Sequence, residues 1–445
     1  MTTWVVLLLL VLGLNVLFWG VVGLMRLIEE HGESEQVGRH VVDADRLHGL
    51  NIGDVAVLMA AHNEELVIAR SLRSLADLMP ADQIHVVSDA SDDRTVALAR
   101  RAGVNVIETP HNVGKASALA YGIERFQLLA RYEAVTLLDA DTQLDPGYYA
   151  AALPRFADAR VAAVAGCAHT RWERRLGFLG NIAVGYRQRV YLVAQLLVKY
   201  GQTWRGISAT HIVPGFASTY RSSALARIQV DRPGLVIEDF NMTFEVQAKR
   251  LGRIVFQPQA LAYTQDPATL RDYVRQTRRW SLGLWQTVRR YRGGRPVFTI
   301  ALGLTLLELL TSTVVFLLLP IVVLAMLLGV LVPDLGAMPL VGAPLADIDA
   351  FIDPVDLLLG IMLPDYLLTC FAAFAERRPR YLFDGLFFLP MRVVDAVVTL
   401  VSIPRAWLVR SSGAWTSPTR RDMTDGEGQV VAPARDSRFS QAGAR

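Results

Sequence analysis

Asp139-Ala140-Asp141 closes the short β-type run Ala134 to Leu138, and strand alternation turns both carboxylates to one side, where they could grip a divalent ion. Hard oxygen ligands suit Mg²⁺ or Mn²⁺, and such an ion would bridge the phosphates of a nucleotide diphosphate and neutralise it as it leaves. A bare Asp-x-Asp triplet is common by chance; its place at the end of a buried strand gives it weight. Lys115 follows Gly114 at a helix start, where backbone N–H groups and a cation can hold anionic phosphate. An exposed lysine near a cap is the other reading. It is not a Walker loop, because the spacing and the Ser/Thr after the lysine are missing. Glu238-Asp239 follows Leu235-Val236-Ile237 and opens a helical stretch over 241–251. Two acids there could be dipole partners, or one could take the proton from an attacking hydroxyl. Gln276-Thr277-Arg278-Arg279-Trp280 comes just before a long apolar run. Arg279 could clamp a phosphate and Trp280 could stack on a sugar face; the same residues could equally anchor an interfacial helix.

These residues need a scaffold, and residues 55–295 supply the pattern for one. Short β-type runs at 55–60, 84–87, 104–107 and 134–138 alternate with helical stretches at 65–78, 95–102 and 116–130. Such alternation predicts an α/β fold with a mostly parallel sheet covered on both faces, and ligands there sit beyond the carboxyl ends of the strands. Those ends are polar and repeatedly acidic: His62-Asn63-Glu64-Glu65, Ser88-Asp89-Ala90-Ser91-Asp92-Asp93, His111-Asn112-Val113-Gly114-Lys115, and Asp139-Ala140-Asp141. Any one of them could be a cap or a turn. Four in succession, each at a strand exit, point to a ligand site.

Of the 445 residues 52% are apolar, concentrated toward the two ends, while the middle is mixed and charged like a soluble enzyme. The formal net charge of +3 is too weak to argue for nucleic acid. Two cysteines, Cys167 and Cys370, exclude a cysteine-built metal cluster and suggest no disulfide framework, which fits a cytoplasmic catalytic part. Residues 4–25 are apolar throughout and long enough to cross a bilayer, since about 20 suffice. Lacking a basic start, they read as an anchor within a membrane segment at 1–28 and not as a cleaved signal, with the catalytic middle (50–295) on the cytoplasmic side. Within 297–409, apolar blocks follow at 297–332, 351–375 and 382–409. The loop 333–350 has no Lys or Arg, whereas Glu376-Arg377-Arg378-Pro379-Arg380 is basic, so the first is expected outside and the second inside. The last block carries Asp384, Arg392, Asp395 and Arg405 and is read as re-entrant or interfacial, with a true span as the alternative. Glu308 and Asp365, with Tyr366 and Trp407, could line a pore for a growing sugar chain, or the two acids could simply be neutralised by neighbouring helices. Residues 421–445 are polar and expected to be disordered.

The ordered set of motifs over 55–290 resembles the processive family 2 glycosyltransferases with a GT-A fold: cellulose, chitin and hyaluronan synthases, and bacterial poly-N-acetylglucosamine synthases. The resemblance implies a multi-pass protein of the cell inner membrane that moves a sugar from a UDP-sugar to a growing polysaccharide, with Mg²⁺ or Mn²⁺. It implies donor contacts from Asp89, Glu64, Lys115 and Asp139, and metal contacts from Asp139 and Asp141, with Asp141 the closer ligand. Asp239 would be the general base with Glu238 beside it, and Gln276, Arg279 and Trp280 would hold the diphosphate and the acceptor end. Gly215, within Pro214 to Arg221, would lie near the acceptor. Segment 410–420, with Trp415, Thr419 and Arg420, looks like the loop that closes over bound nucleotide. The run from about Phe388 to Arg420 most resembles the poly-N-acetylglucosamine synthases, which suggests N-acetylglucosamine as the sugar. Partners implied are the UDP-sugar donor, a polysaccharide or lipid acceptor, membrane lipids and a small accessory membrane subunit, with no nucleic acid. Single-sugar transfer to a ceramide- or polyprenyl-type lipid and a non-catalytic nucleotide-sugar-binding membrane protein are the alternatives. Two departures stand out: Ser88 replaces the usual acid or Asn, and Ala90 the usual Gly.

Overall fold

The computed structural model describes residues 3–37, 49–172, 176–291, 293–332, 352–409 and 420–421. Trp415, Thr419, the loop 333–350 and the tail beyond 421 lie outside the described residues.

Eight strands form one sheet: β1 (Val55–Ala61), β2 (Ile84–Ser88), β3 (Asn105–Glu108), β4 (Ala134–Asp139), β5 (Gln143–Leu144), β6 (Val161–Thr170), β7 (Ala217–Arg221) and β8 (Arg253–Thr264). Their order across the sheet is β3-β2-β1-β4-β7-β6-β8-β5. β1, β2, β3 and β4 are parallel neighbours, β7 runs against both β4 and β6, β6 and β8 are parallel, and β5 runs against β8. The sheet is therefore α/β and mostly parallel, as the alternation of elements predicts.

Both faces of β1 are covered, which is why Val55 to Ala61 is apolar without interruption. Val55, Val57 and Met59 pack with Ile68, Leu72 and Leu75 of a helix at Ile68–Ala76. Ala56, Leu58 and Ala60 pack on the other side with Ala118 and Leu119 of a helix at Lys115–Arg125. The strand order reverses beside β1, since the chain leaves it toward β2 and β3 and returns as β4 on its other edge. Loop ends at such a reversal splay apart and leave a crevice. The helix expected over 116–130 is broken by Gln127, whose φ of 53° ends one helix before Leu128–Arg131 begins.

Among the described residues two helices are long and apolar enough to cross a membrane, Pro296–Leu331 and Pro354–Ala375. Two bent pairs pass the same test together: Thr3–Leu12 with Leu14–Glu30, bent by 64°, and Arg380–Phe387 with Leu389–Leu408, bent by 51°. The first apolar block is thus not one straight helix. It breaks at Gly13 (φ 86°), where a Cβ would overlap the Glu308 carboxylate, and Asn15 N donates to Glu308 Oε2 at 3.0 Å. Asp365 is likewise engaged, accepting from Arg189 Nη1 at 2.8 Å with Arg392 Nε 3.4 Å away. Each acid thus meets a partner from another helix, Glu308 a hydrogen bond from Asn15 and Asp365 an ion pair with Arg189. Tyr366 is also tied up, its hydroxyl donating to Leu382 O at 2.9 Å.

Candidate active site

The first two strand exits are laced together by side chains. Asn63 N donates to Ser91 Oγ at 3.1 Å, Glu64 N to Thr95 Oγ1 at 2.8 Å and Glu65 N to Asp93 Oδ2 at 3.0 Å, while Asp92 N donates to Asn63 Oδ1 at 3.0 Å. Such pairing accounts for the density of Asn, Ser and Asp at these exits, because short polar side chains satisfy main-chain groups that the sheet no longer reaches. Asp89 is fully buried and turned inward. Its Oδ1 accepts from Thr109 Oγ1 and Val113 N and its Oδ2 from Gly114 N, each at 2.8 Å. The carboxylate thus shapes the turn that launches Lys115. Ala90, at φ 49°, holds the left-handed conformation that glycine adopts without strain.

Lys115 is the hub of the crevice. Its Nζ lies 2.7 Å from Asp139 Oδ1 and 2.6 Å from Glu238 Oε1, joining the end of β4 to the start of the helix Glu238–Ala248. Burial would depress the amine, but Asp139, Glu238 and Asp239 outweigh it and hold its pKa well above the ordinary lysine value. Burial would raise Glu238, yet the Lys115 charge keeps it below the usual carboxylate range. Asp139 is raised, burial outweighing the same lysine.

Asp239 sits behind this pair and is the most perturbed acid of the set. Burial and the neighbouring Glu238 charge push its pKa up to about 8 against the pull of Lys115. Its Oδ1 has no hydrogen-bond partner among the described residues. Gly215 makes room for it: a Cβ there would overlap Asp239 Oδ1. The same strip ties the two acidic ends together, since Asp139 N donates to Phe216 O at 3.1 Å and Val213 N donates to Thr243 Oγ1 at 2.8 Å, which in turn donates to Asp239 O.

On the other side of the crevice Arg420 clasps two acids. Its Nε and Nη2 donate to Glu64 Oε2 and Oε1 at 2.6 and 2.8 Å, and its Nη1 donates to Asp141 Oδ2. Even with this partner, burial leaves the Glu64 carboxyl raised to about 7. Arg421 is docked beside it, its Nη2 donating to Asp266 O at 2.8 Å.

The helix Leu270–Arg290 brings the last group. Gln276 Oε1 is buried without a partner among the described residues, and the Arg279 charge contributes to holding Glu238 low. Trp280 is half-buried, with the guanidinium of Arg187 stacked 4.4 Å from its ring centroid. One crevice therefore gathers Glu64, Lys115, Asp139, Asp141, Glu238, Asp239, Gly215 and Arg420, while Asp89 stands behind the Lys115 turn. Reading motifs in order did not reveal Arg187 or the Arg420 clasp. Arg187 left one signal, a charged pair (Arg187 and Arg189) inside the apolar helix Phe178–Leu192.

Residues 56–226 match the model of Glycosyl transferase family 2. That stretch is a family 2 glycosyltransferase domain. Its α/β sheet, mostly parallel, is the GT-A arrangement expected of that family. Among curated relatives, the poly-beta-1,6-N-acetyl-D-glucosamine synthase of Staphylococcus aureus is 26% identical over 249 residues, covering 54% of this chain and 56% of the relative. The enzyme of the same description from Staphylococcus epidermidis is 25% identical over 252 residues, 53% of this chain and 57% of the relative. The chain's match thus spans about half the length of the curated relatives. Solved structures similar to the glycosyltransferase chain include a mannosyltransferase from Pyrobaculum calidifontis in complex with GDP-Man and Mn²⁺ (TM-score 0.45, 18% identity, 86% of this chain and 99% of that one). Another is glucosyl-3-phosphoglycerate synthase from Mycobacterium tuberculosis with Mn²⁺ and UDP-glucose (TM-score 0.36, 17% identity, 55% and 86%).

Proposed function

We propose that this protein is an inverting glycosyltransferase that moves a sugar, N-acetylglucosamine by its likeness to the staphylococcal synthases, from a UDP-sugar to a growing polysaccharide held at a membrane. The observation that carries the reading is the Lys115 bridge between Asp139 and Glu238, with the buried Asp239 carboxyl beside it, whose Oδ1 has no side-chain partner among the described residues and which the Gly215 backbone approaches. A cation between two acids marks where diphosphate would lie, and a raised carboxyl beside it suits proton removal near neutral pH.

Asp239 takes the proton from the acceptor hydroxyl as it attacks the anomeric carbon from the face opposite the diphosphate. Gly215 lets that carboxylate sit against the main chain, and Glu238 keeps Lys115 in place. Lys115 and Arg279 offset the charge that develops on the leaving diphosphate, fixed charges being strongest where water is thin. Gln276 and Trp280 orient the acceptor end.

Asp139 and Asp141 fit a divalent cation in donor chemistry, since each carboxylate already draws a cation, Lys115 on one and Arg420 on the other. Among the described residues no group of three or more His, Cys, Asp or Glu side chains is arranged to hold a metal. Two carboxylates with phosphate oxygens completing the shell is the habit of Mg²⁺ and of similar hard ions. When bound, such an ion would neutralise the leaving diphosphate.

We place the catalytic domain on the cytoplasmic face of the cell inner membrane, with the apolar helices as its anchor. The test is UDP release by the purified, detergent-solubilised protein over a panel of UDP-sugars with Mn²⁺, Mg²⁺ or EDTA, with the product sized on a gel. Release with one sugar, lost in EDTA, and a high-molecular-weight product are expected. A single small glycolipid would replace polymer synthesis by transfer to a lipid. Undiminished turnover in EDTA would remove the metal role from Asp139 and Asp141.

A further inference from the structure

One buried cation has no task in this mechanism. Arg187 is 2% exposed, and none of the ion pairs among the described residues includes it. Its Nη2 donates to Thr277 Oγ1 at 2.7 Å, its Nε has no partner among the described residues, and its guanidinium carbon lies 4.4 Å from the ring centroids of both Tyr273 and Trp280. Tyr273, Thr277 and Trp280 recur four and then three residues apart, so one face of the helix Leu270–Arg290 clasps a single guanidinium.

No carboxylate among the described residues touches Arg187, although against its burial the Asp266 and Asp395 charges help keep it protonated, and methionine or leucine would fill the same space without burying a charge. The surroundings indicate what the cation contributes. The clasp is itself anchored: Tyr273 OH donates to Asp395 Oδ1 at 2.7 Å. Beside Trp280 the Tyr191 ring lies 6.2 Å away at 36°, and its hydroxyl donates to Asp266 Oδ1 at 3.0 Å. Arg187 thus lies over the indole, and the two tyrosines beside it are each tied to a carboxylate. The half-buried Trp280 keeps part of its ring accessible.

We propose that Arg187 is a positioning residue for Trp280, fixing the plane of the indole so that its uncovered side stacks on a pyranose ring of the acceptor. This rests on the reading of Trp280 as an acceptor contact.

The test uses the full-length, detergent-solubilised protein as Arg187→Met, Arg187→Lys, Trp280→Leu and the double variant Arg187→Met/Trp280→Leu. With an N-acetylglucosamine oligosaccharide as primer, Arg187→Met should raise the primer KM about tenfold, the scale of a partly desolvated stacking contact, and leave the UDP-sugar KM unchanged. Arg187→Lys should recover most of the loss. In the Trp280→Leu background Arg187→Met should add nothing, because both changes remove one interaction. Effects that multiply in the double variant, or a loss confined to the UDP-sugar KM, would overturn the proposal. A second readout needs no turnover: Trp280 emission, taken as the difference between parent and Trp280→Phe, should become more accessible to acrylamide in Arg187→Met. Unchanged quenching would also overturn it. A parent protein that transfers no sugar would sink the functional reading, while the quenching arm would still decide the role of Arg187.

Discussion

The two halves of the crevice are built differently. Around β1, β2 and β3 nearly every polar group at the strand exits has a partner: Asp89 accepts three hydrogen bonds, Asp93 and Thr95 hold the neighbouring turn, and Glu64 is held in a two-point contact by Arg420. On the side formed by the helices Glu238–Ala248 and Leu270–Arg290, Asp239 Oδ1, Gln276 Oε1 and Ser281 Oγ are buried without protein partners among the described residues. Buried polar groups seldom stay unmet, so the second half is shaped for partners that arrive with substrate. On the proposed function, the first half is the donor side, with its polar groups already paired, and the second is the acceptor side, with polar atoms left for a bound sugar.

That contrast can be broken most sharply at Asp239. Asp239→Asn should lower kcat by about 10³-fold, within the range of a lost general base, with nucleotide affinity retained by calorimetry. Because the folded-state pKa of Asp239 is raised from 3.8 to about 8, the native state keeps a proton that the unfolded chain has lost, and stability falls as pH rises through that window. The asparagine variant should therefore unfold at a higher temperature than the parent at pH 9 and show little advantage at pH 4. The parent's kcat should rise with pH toward a plateau above about 8. A profile flat from pH 6 to 9 would separate the base from this carboxyl.

Lys115→Met tests the hinge between the halves. It strands Asp139 and Glu238 as facing acids, and breaking a buried pair by removing one partner costs about 3 kcal/mol. Thermal unfolding should show that loss, and the donor KM should rise more than the acceptor KM. Equal rises would mean that the lysine serves both sides.

Arg420→Gln reaches only the donor side. Glu64 already has a folded-state pKa of about 7, above the ordinary 4.5, so its contribution to stability declines as pH rises from about 4.5 through 7. Without the guanidinium the decline should extend to higher pH. Unfolding by denaturant should show a deficit of roughly 1–2 kcal/mol at pH 8.5, shrinking at pH 6, where the carboxyl takes up a proton. A deficit independent of pH would assign the loss to packing.

Ala90→Gly should have the smallest effect, and a favourable one. Relief of the left-handed conformation at φ 49° outweighs the added freedom of the unfolded chain by at most about 1 kcal/mol. A drop in stability would mean that the alanine methyl packs usefully.

The parallel half of the sheet was readable because burial on both faces leaves runs such as Val55 to Ala61 and Ala134 to Leu138, bounded by acids that cap and turn. The acids themselves were visible as repeated punctuation. Their partnerships were not, because contact across hundreds of residues has no local pattern: Glu64 and Arg420 are 356 positions apart. The bend of the first apolar block at Gly13 was hidden for a similar reason, since it is met by Glu308 from a distant helix. Arg187 escaped notice because the pair Arg187 and Arg189 in an apolar helix reads like snorkelling surface residues until Tyr273 and Trp280 are seen around Arg187.

The Arg420 clasp bears on the order in which the protein can be made. β1 and β4 emerge early in synthesis, but the cation that neutralises their two acids lies beyond every apolar helix described here. A ribosome that has released residues 55–290 has therefore not yet released the guanidinium that joins Glu64 to Asp141. Until residue 420 emerges, the crevice holds Glu64 and Asp141 without the cation that draws them together.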